Sequence, residues 1–335
     1  MNENARRMRP MGITDILDET VELYKSSFVL LVGIAAVLNV PYSLFERYYY
    51  ASKASHILSN PGAGMPTKDM AGFWGATAWG LLFVLLTAPI ITGALTYAIS
   101  ERYLGRKVTI LGSFKRVFSL SIFGKLFLAI LVKALILVVP VVAAALAVGM
   151  AMVSAVMGHS TMIPLAFGLG AVGLAGGVAA AYVLVRLAVL EPTIVVEGKG
   201  FGSAFSRAWG FMHGNMVKCV SLLLLGWLVT SIVESVLSGP TQLVIMTKGA
   251  AVSPAFLILH AVIGAVASTI LSPVMSIVTI LLYYDIRIRR EGFDLELLAK
   301  DLDAKTREIS TYSAQPLPQE QTTEQAQPDS ESSRQ

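Results

Sequence analysis

The chain has 335 residues, 55% of them hydrophobic and only 14% charged, with a formal net charge of +4. Soluble domains carry about 25% charged residues, so the composition excludes the two or three soluble domains that length alone would allow. Nor does the basic balance indicate a nucleic-acid partner: Lys and Arg sit beside apolar runs, where they orient spans and meet anionic lipid, with no patch of interleaved exposed aromatics.

In chain order, Arg6, Arg7 and Arg9 precede an acidic segment from Asp15 to Glu22 rather than an apolar core. That is a poor secretory signal, so the first span is expected to stay attached. Ile13, Ile16, Leu17, Val21, Tyr24 and Phe28 recur at helical spacing, opposite Asp15, Asp18, Glu19, Glu22 and Lys25. Six apolar stretches follow at about Phe28–Leu44, Phe73–Ser100, Ile122–Met157, Met162–Leu190, Cys219–Leu237 and Ala255–Tyr284. Each meets the roughly 17–25 residues that a membrane span requires. The uncharged run from Ala134 to Val185 is long enough for two, and Gly158-His159-Ser160-Thr161 followed by Pro164 marks the turn between them. Glu46–Met70 is polar and reads as an outer loop with a short helix at Tyr48–Leu58.

Two further segments resemble the first in pattern. Leu111, Phe114, Phe118 and Ile122 lie opposite Lys115 and Arg116 before the third span. Phe201, Ala204, Phe205, Ala208, Trp209 and Met212 do the same before the fifth. All three read as amphipathic helices suited to the headgroup layer, rather than as extensions of the spans. Lys and Arg concentrate on their side, from Arg6 to Arg290, and the other side holds only Arg47, Lys53, Lys68 and Lys248. The positive-inside rule then places both termini and the amphipathic helices in the cytoplasm, with anionic headgroups as expected lipid partners.

The segments also repeat. Phe114-Lys115-Arg116-Val117-Phe118 aligns with Phe205-Ser206-Arg207-Ala208-Trp209, and Glu191 to Gly198 aligns with Asp285 to Gly292. Pro89 precedes Glu101 by twelve residues, as Pro273 precedes Asp285. The expected fold class is an all-α integral membrane protein: six transmembrane helices in three parallel helix-hairpin repeats, each led by a cytoplasmic amphipathic helix. Residues 1–305 form this membrane domain, including a fourth amphipathic stretch beginning at Phe293. Residues 306–335 turn to Gln, Glu, Ser, Thr and Pro and form a disordered cytoplasmic tail.

Motifs of soluble chemistry are missing or misplaced. Gly168-Leu-Gly170-Ala-Val-Gly173 spells GxGxxG but lies inside a span, so Gly173 and Gly177 read as a close-packing pair. The four His lie at no metal-ligand spacing, so no metal site is expected. Cys219, the only cysteine, excludes an internal disulfide and any CxxC motif. Pro89, Pro140 and Pro273 inside spans read first as architectural kinks. No cofactor and no catalytic residue is expected.

Ionisable residues inside spans are the candidate functional groups. Lys133, Arg186 and Glu191 lie at similar depth near the cytoplasmic side and are placed to form an ion-pair network. Extension to the interface is the alternative, preferred for Arg186 and left open for Lys133. Glu234 and His260 flank the outer ends of the last two spans and are placed to meet as a proton relay, the plainer reading being wet helix ends.

The segments Arg9 to Tyr24, Glu197-Gly198 with Ser203 to Trp209, and Tyr284 to Asp294 resemble those of uncharacterised bacterial six-span membrane proteins. These are similar to the membrane domain attached to some glycerophosphoryl diester phosphodiesterases. The resemblance covers about residues 9–300 and implies a bacterial inner-membrane location. It carries no catalytic residue, since the phosphodiesterase activity belongs to a soluble barrel whose His and Glu motifs are not found in this sequence. The leading expectation is therefore a non-enzymatic scaffold or accessory component with unidentified protein partners. A small-solute or lipid-related transporter comes second, and a membrane-embedded enzyme acting on lipid headgroups third. A wet cavity lined by Lys133 and Glu191 would favour transport, and a dry Gly-packed centre the scaffold.

Overall fold

A computed structural model describes residues 10–59, 67–157, 163–292 and residue 306. The turn expected at 158–161, the amphipathic stretch expected from residue 293 and the tail beyond 310 lie outside the described residues. Within them the chain is helical, and no strand occurs. Three short helices are α1 (Ile13–Ser26), α4 (Ile110–Val117) and α8 (Phe201–Phe211). The long ones are α2 (Phe28–Ser59), α3 (Thr67–Tyr103), α5 (Leu120–Met157), α6 (Ile163–Arg186), α9 (Met216–Lys248) and α10 (Pro254–Glu291). A further short helix, α7 (Leu190–Glu197), follows α6 after a break. Six stretches are long and apolar enough to cross a membrane, the fourth being α6 and α7 together.

Helix α10 is the hub, packing against α1, α2, α3, α7 and α9. Its segment Ile277–Ile286 is almost wholly buried, with Tyr283, Tyr284 and Asp285 in the interior. Near-continuous apolar sequence is what a helix surrounded on all sides requires. Close approach on the opposite flank depends on Gly93: a Cβ there would stand 2.6 Å from the Leu126 side chain of α5 and 3.0 Å from Val117 of α4.

Helices α5 and α6 form a hairpin of which α6 has little other contact. Gly173 lets the two backbones meet, its absent Cβ falling 3.0 Å from the Ala144 backbone nitrogen. Gly177, expected as its packing companion, faces open space, and Gly176 instead lies against Pro140. The GxGxxG run is wholly helical, with no preceding strand among the described residues.

Several boundaries differ from expectation. Helix α2 runs through Pro41 to Ser59 without a separate loop helix, and α9 runs through Pro240 to Lys248. The fourth span, expected to continue to Leu190, breaks at residues 187–189. Pro192 follows the break and, lacking an N–H, cannot bond the Ala188 carbonyl, although α2 and α9 run through Pro41 and Pro240 unbroken, so proline alone does not set it. Pro192 is tolerated in the first turn of α7, which ends at Gly198 in a left-handed conformation, φ 66°.

The short helices stand where the sequence places them. Helix α1 buries Ile16, Thr20 and Leu23, while Val21 and Phe28 face outward. Helix α4, opened by the Thr109 hydroxyl accepting from the Gly112 N–H, buries Ser113 and Val117. Its Leu111 and Phe118 are 79% and 63% exposed. Helix α8 buries Ala204, Ala208 and Phe211 and stacks Phe205 on Trp209 at its half-exposed edge.

Candidate functional site

Lys133 on α5 and Glu191 in the first turn of α7 form an ion pair, the ammonium donating to both carboxylate oxygens at 2.6 and 2.8 Å. Their side chains are 20% and 9% exposed. The break before α7 matters here, because a continuous helix would carry Glu191 onward in a different direction. The pair lines a cavity of about 270 Å³ with Thr92 and Thr96 of α3 and Ser276 and Thr279 of α10. Leu184, Ala188, Pro192, Leu223 and Met275 complete the wall. Thr92 lies one turn beyond Pro89, and Ser276 one turn beyond Pro273. The Thr279 hydroxyl donates to the Met275 carbonyl, whereas those of Thr92, Thr96 and Ser276 have no hydrogen-bond partner among the described residues.

The expected network of three thus has two members. Arg186 ends α6 elsewhere: Nη2 donates to the Tyr182 hydroxyl at 2.6 Å, and the guanidinium lies over the Tyr182 and Trp209 rings. That is cation–π seating at a helix end rather than pairing with Glu191.

The Glu234–His260 relay is not formed. Glu234 accepts from Arg47 Nη2 at 2.5 Å, and His260 Nδ1 meets the Thr241 hydroxyl at 2.8 Å. Arg47 occupies the space that Gly264, one turn after His260, leaves open. Counting Arg47 only as an outer-side charge missed this role, and the glycine opposite it was the available signal.

The helix ends beside α1 hold two charge clusters that the sequence reading treated only as repeat markers. Asp285, fully buried, accepts from the Met11 N–H at 2.7 Å, Lys218 Nζ at 2.5 Å and Arg289 Nε at 3.0 Å. Lys218 and Arg289 also donate to the Met11 carbonyl. In the second cluster Arg207 of α8 bridges Glu197 at 2.8 Å and Glu291 at 2.6 Å, and the Tyr283 hydroxyl donates to Glu197. Burial opposes the charge on Arg207, but the hydrogen bonds and negative charges of Glu197 and Glu291 outweigh it and raise its pKa.

Among the described residues no group of His, Cys, Asp and Glu is arranged to hold a metal ion. Cys219 is fully buried, its thiol pointing at the Val185 carbonyl.

The family described as Domain of unknown function (DUF7847) matches residues 11–285, and the chain belongs to it. Its first and last matched residues are the hydrogen-bonded partners Met11 and Asp285. No match is found among curated proteins or among solved structures.

Proposed function

We propose that this member of the family is a multi-pass inner-membrane protein that binds a small polar solute between its spans and moves it across the bilayer. One observation carries the reading: a lysine–carboxylate pair and four hydroxyl side chains line a mainly apolar cavity at a break in a span. Charges within spans are costly and concentrate where a polar pathway needs them. Transporters place such sites where helices are interrupted. Here the break before Glu191 borders the cavity, and Thr92 and Ser276, each one turn beyond a proline inside a continuous helix, line it.

In this reading both termini are cytoplasmic, following the distribution of Lys and Arg, and the cavity lies in the cytoplasmic half. Lys133 is 13 residues into α5 and Ser276 15 residues before the end of α10 at Glu291, or roughly 20–23 Å from those ends at about 1.5 Å per residue. The three units of short helix, span and span form a parallel repeat, and the short helices rest in the headgroup layer. The outward Leu111 and Phe118 of α4 support that placement.

Water access tests the reading. A cysteine at Ser276→Cys, in a Cys219→Ala background, is expected to react with a membrane-impermeant methanethiosulfonate from one side of the membrane. Absence of labelling from both sides would count against a wet cavity and against solute binding.

The scaffold reading, first on the sequence alone, now stands second, supported by the half-exposed aromatic edge of α8 and the exposed apolar surface of the α5–α6 hairpin. An enzymatic role on lipid headgroups has no favouring arrangement, since Asp285, Glu197 and Glu291 are each held by cations.

A further inference from the structure

We infer that the cavity takes a small zwitterion of amino-acid size, with one ammonium and one carboxylate or phosphate; this rests on the solute-binding reading above. The cavity's own fixed charges cancel, Lys133 against Glu191. A monovalent ion would enter with its charge uncompensated, which the low-dielectric span region penalises. An apolar occupant would strip water from the pair and from the hydroxyls without replacing its hydrogen bonds. A zwitterion avoids both costs. Its ammonium meets Glu191 and its acidic group meets Lys133, so one ion pair opens into two and the net charge stays zero.

The remaining lining fits this occupant. The hydroxyls of Thr92, Thr96 and Ser276 make no hydrogen bond among the described residues and are available to a ligand, whereas Thr279 is engaged by its own helix. Leu184, Leu223 and Met275 supply one apolar wall for a carbon skeleton. The volume of about 270 Å³ has room for a molecule of amino-acid size. Two sources carry this chemistry: a free amino-acid-like solute, or the phosphoethanolamine headgroup of a lipid.

The test uses the full chain purified in detergent, with thermal unfolding followed against added probes. L-serine and glycine represent the free zwitterion, and glycerophosphoethanolamine, a phosphodiester of net charge zero, the phosphoethanolamine headgroup. Acetate, ethylammonium and glycerol serve as singly charged and neutral controls. Serine or glycerophosphoethanolamine is expected to raise the unfolding temperature, with at least a tenfold loss of apparent affinity in Glu191→Gln and in Thr96→Val. The single-charge and neutral controls are expected to leave it unchanged. A second arm reconstitutes the protein with phosphatidylethanolamine or with phosphatidylglycerol and reads retained lipid by native mass spectrometry. Selective retention of phosphatidylethanolamine, lost in Glu191→Gln, assigns the headgroup. A serine shift without such retention assigns the free solute. Binding of glycerol or acetate with the same dependence on Glu191 overturns the zwitterion but leaves solute binding standing. Zwitterion binding indifferent to both substitutions overturns the inference, as does no shift with any probe. An unlabelled Ser276→Cys variant in addition overturns the solute reading with it.

Discussion

Removing Lys133 should be among the most damaging single changes to this fold, and removing both partners should restore much of the loss. At 2.6 Å the two charges attract by about 6 kcal/mol with an effective dielectric of ~20. Much of that is spent on desolvation, so the pair contributes far less than its Coulomb energy. Lys133→Met keeps the length of the side chain but leaves Glu191, 9% exposed, as an unpaired carboxylate inside the bundle. Breaking such a pair from one side costs about 3–5 kcal/mol, or a fall of roughly 6–20 °C in Tm at about 2–4 °C per kcal/mol. The double variant Lys133→Met/Glu191→Leu has no charge left to strand and should recover most of the loss. Thermal unfolding in detergent of the four proteins closes a double-mutant cycle. Additive losses, with the double variant as unstable as the sum of the singles, would refute a closed ion pair at this position.

The same method checks the other contacts. Asp285→Asn should cost about 3–5 kcal/mol, because Lys218 and the Met11 N–H lose a buried carboxylate. Glu101→Gln, whose contact with Arg106 is 3.3 Å long and solvent-facing, should stay within about 1 kcal/mol. Gly93→Ala should destabilise by about 1–3 kcal/mol through overpacking against Leu126 and Val117. Gly177→Ala, with open space around it, should be neutral or stabilising by up to about 1 kcal/mol. Arg186→Ala should lose about 1–2 kcal/mol of cation–π seating and shift Trp209 fluorescence without altering labelling of Ser276→Cys. A reporter fused at Lys248 should prove external to the cytoplasm, and a cytoplasmic reporter there would reverse the orientation proposed from the basic residues.

Apolar length and charge placement made the six crossings legible, because a span's requirements are one-dimensional. The run Phe28 to Ser59 shows the limit of that reading. Its polar second half reads as a loop with a short helix at Tyr48–Leu58, yet nothing between stops a helix, and the two run together through Pro41 as one. Helix faces were less legible than helices. In α4 the aromatic stripe was found, but whether Leu111 and Phe118 turn toward protein or away from it depends on what Gly93 and Leu126 leave beside Val117. Lys133 and Glu191 were singled out because charge inside a span is rare. Arg186 was grouped with them by depth alone, and depth says nothing about azimuth around a helix.

Partner choice among the buried charges follows from small residues and helix breaks that no charge count contains. Gly264 makes room for Arg47, and Arg47 then holds Glu234, so His260 is left with Thr241. The fourth span breaks before Pro192, and the break turns Glu191 toward Lys133. In both places a feature without ionisable chemistry decides which ionisable groups meet. The two clusters nonetheless differ in what they leave unsatisfied. Arg47, Glu234, His260 and Thr241 are matched among themselves. The Lys133–Glu191 pair sits beside three hydroxyls with no partner among the described residues. None of the three is a fully buried hydroxyl without a partner, so each keeps surface that water or a solute in the cavity can reach. Those hydroxyls therefore favour a solute over a purely structural role for the cavity.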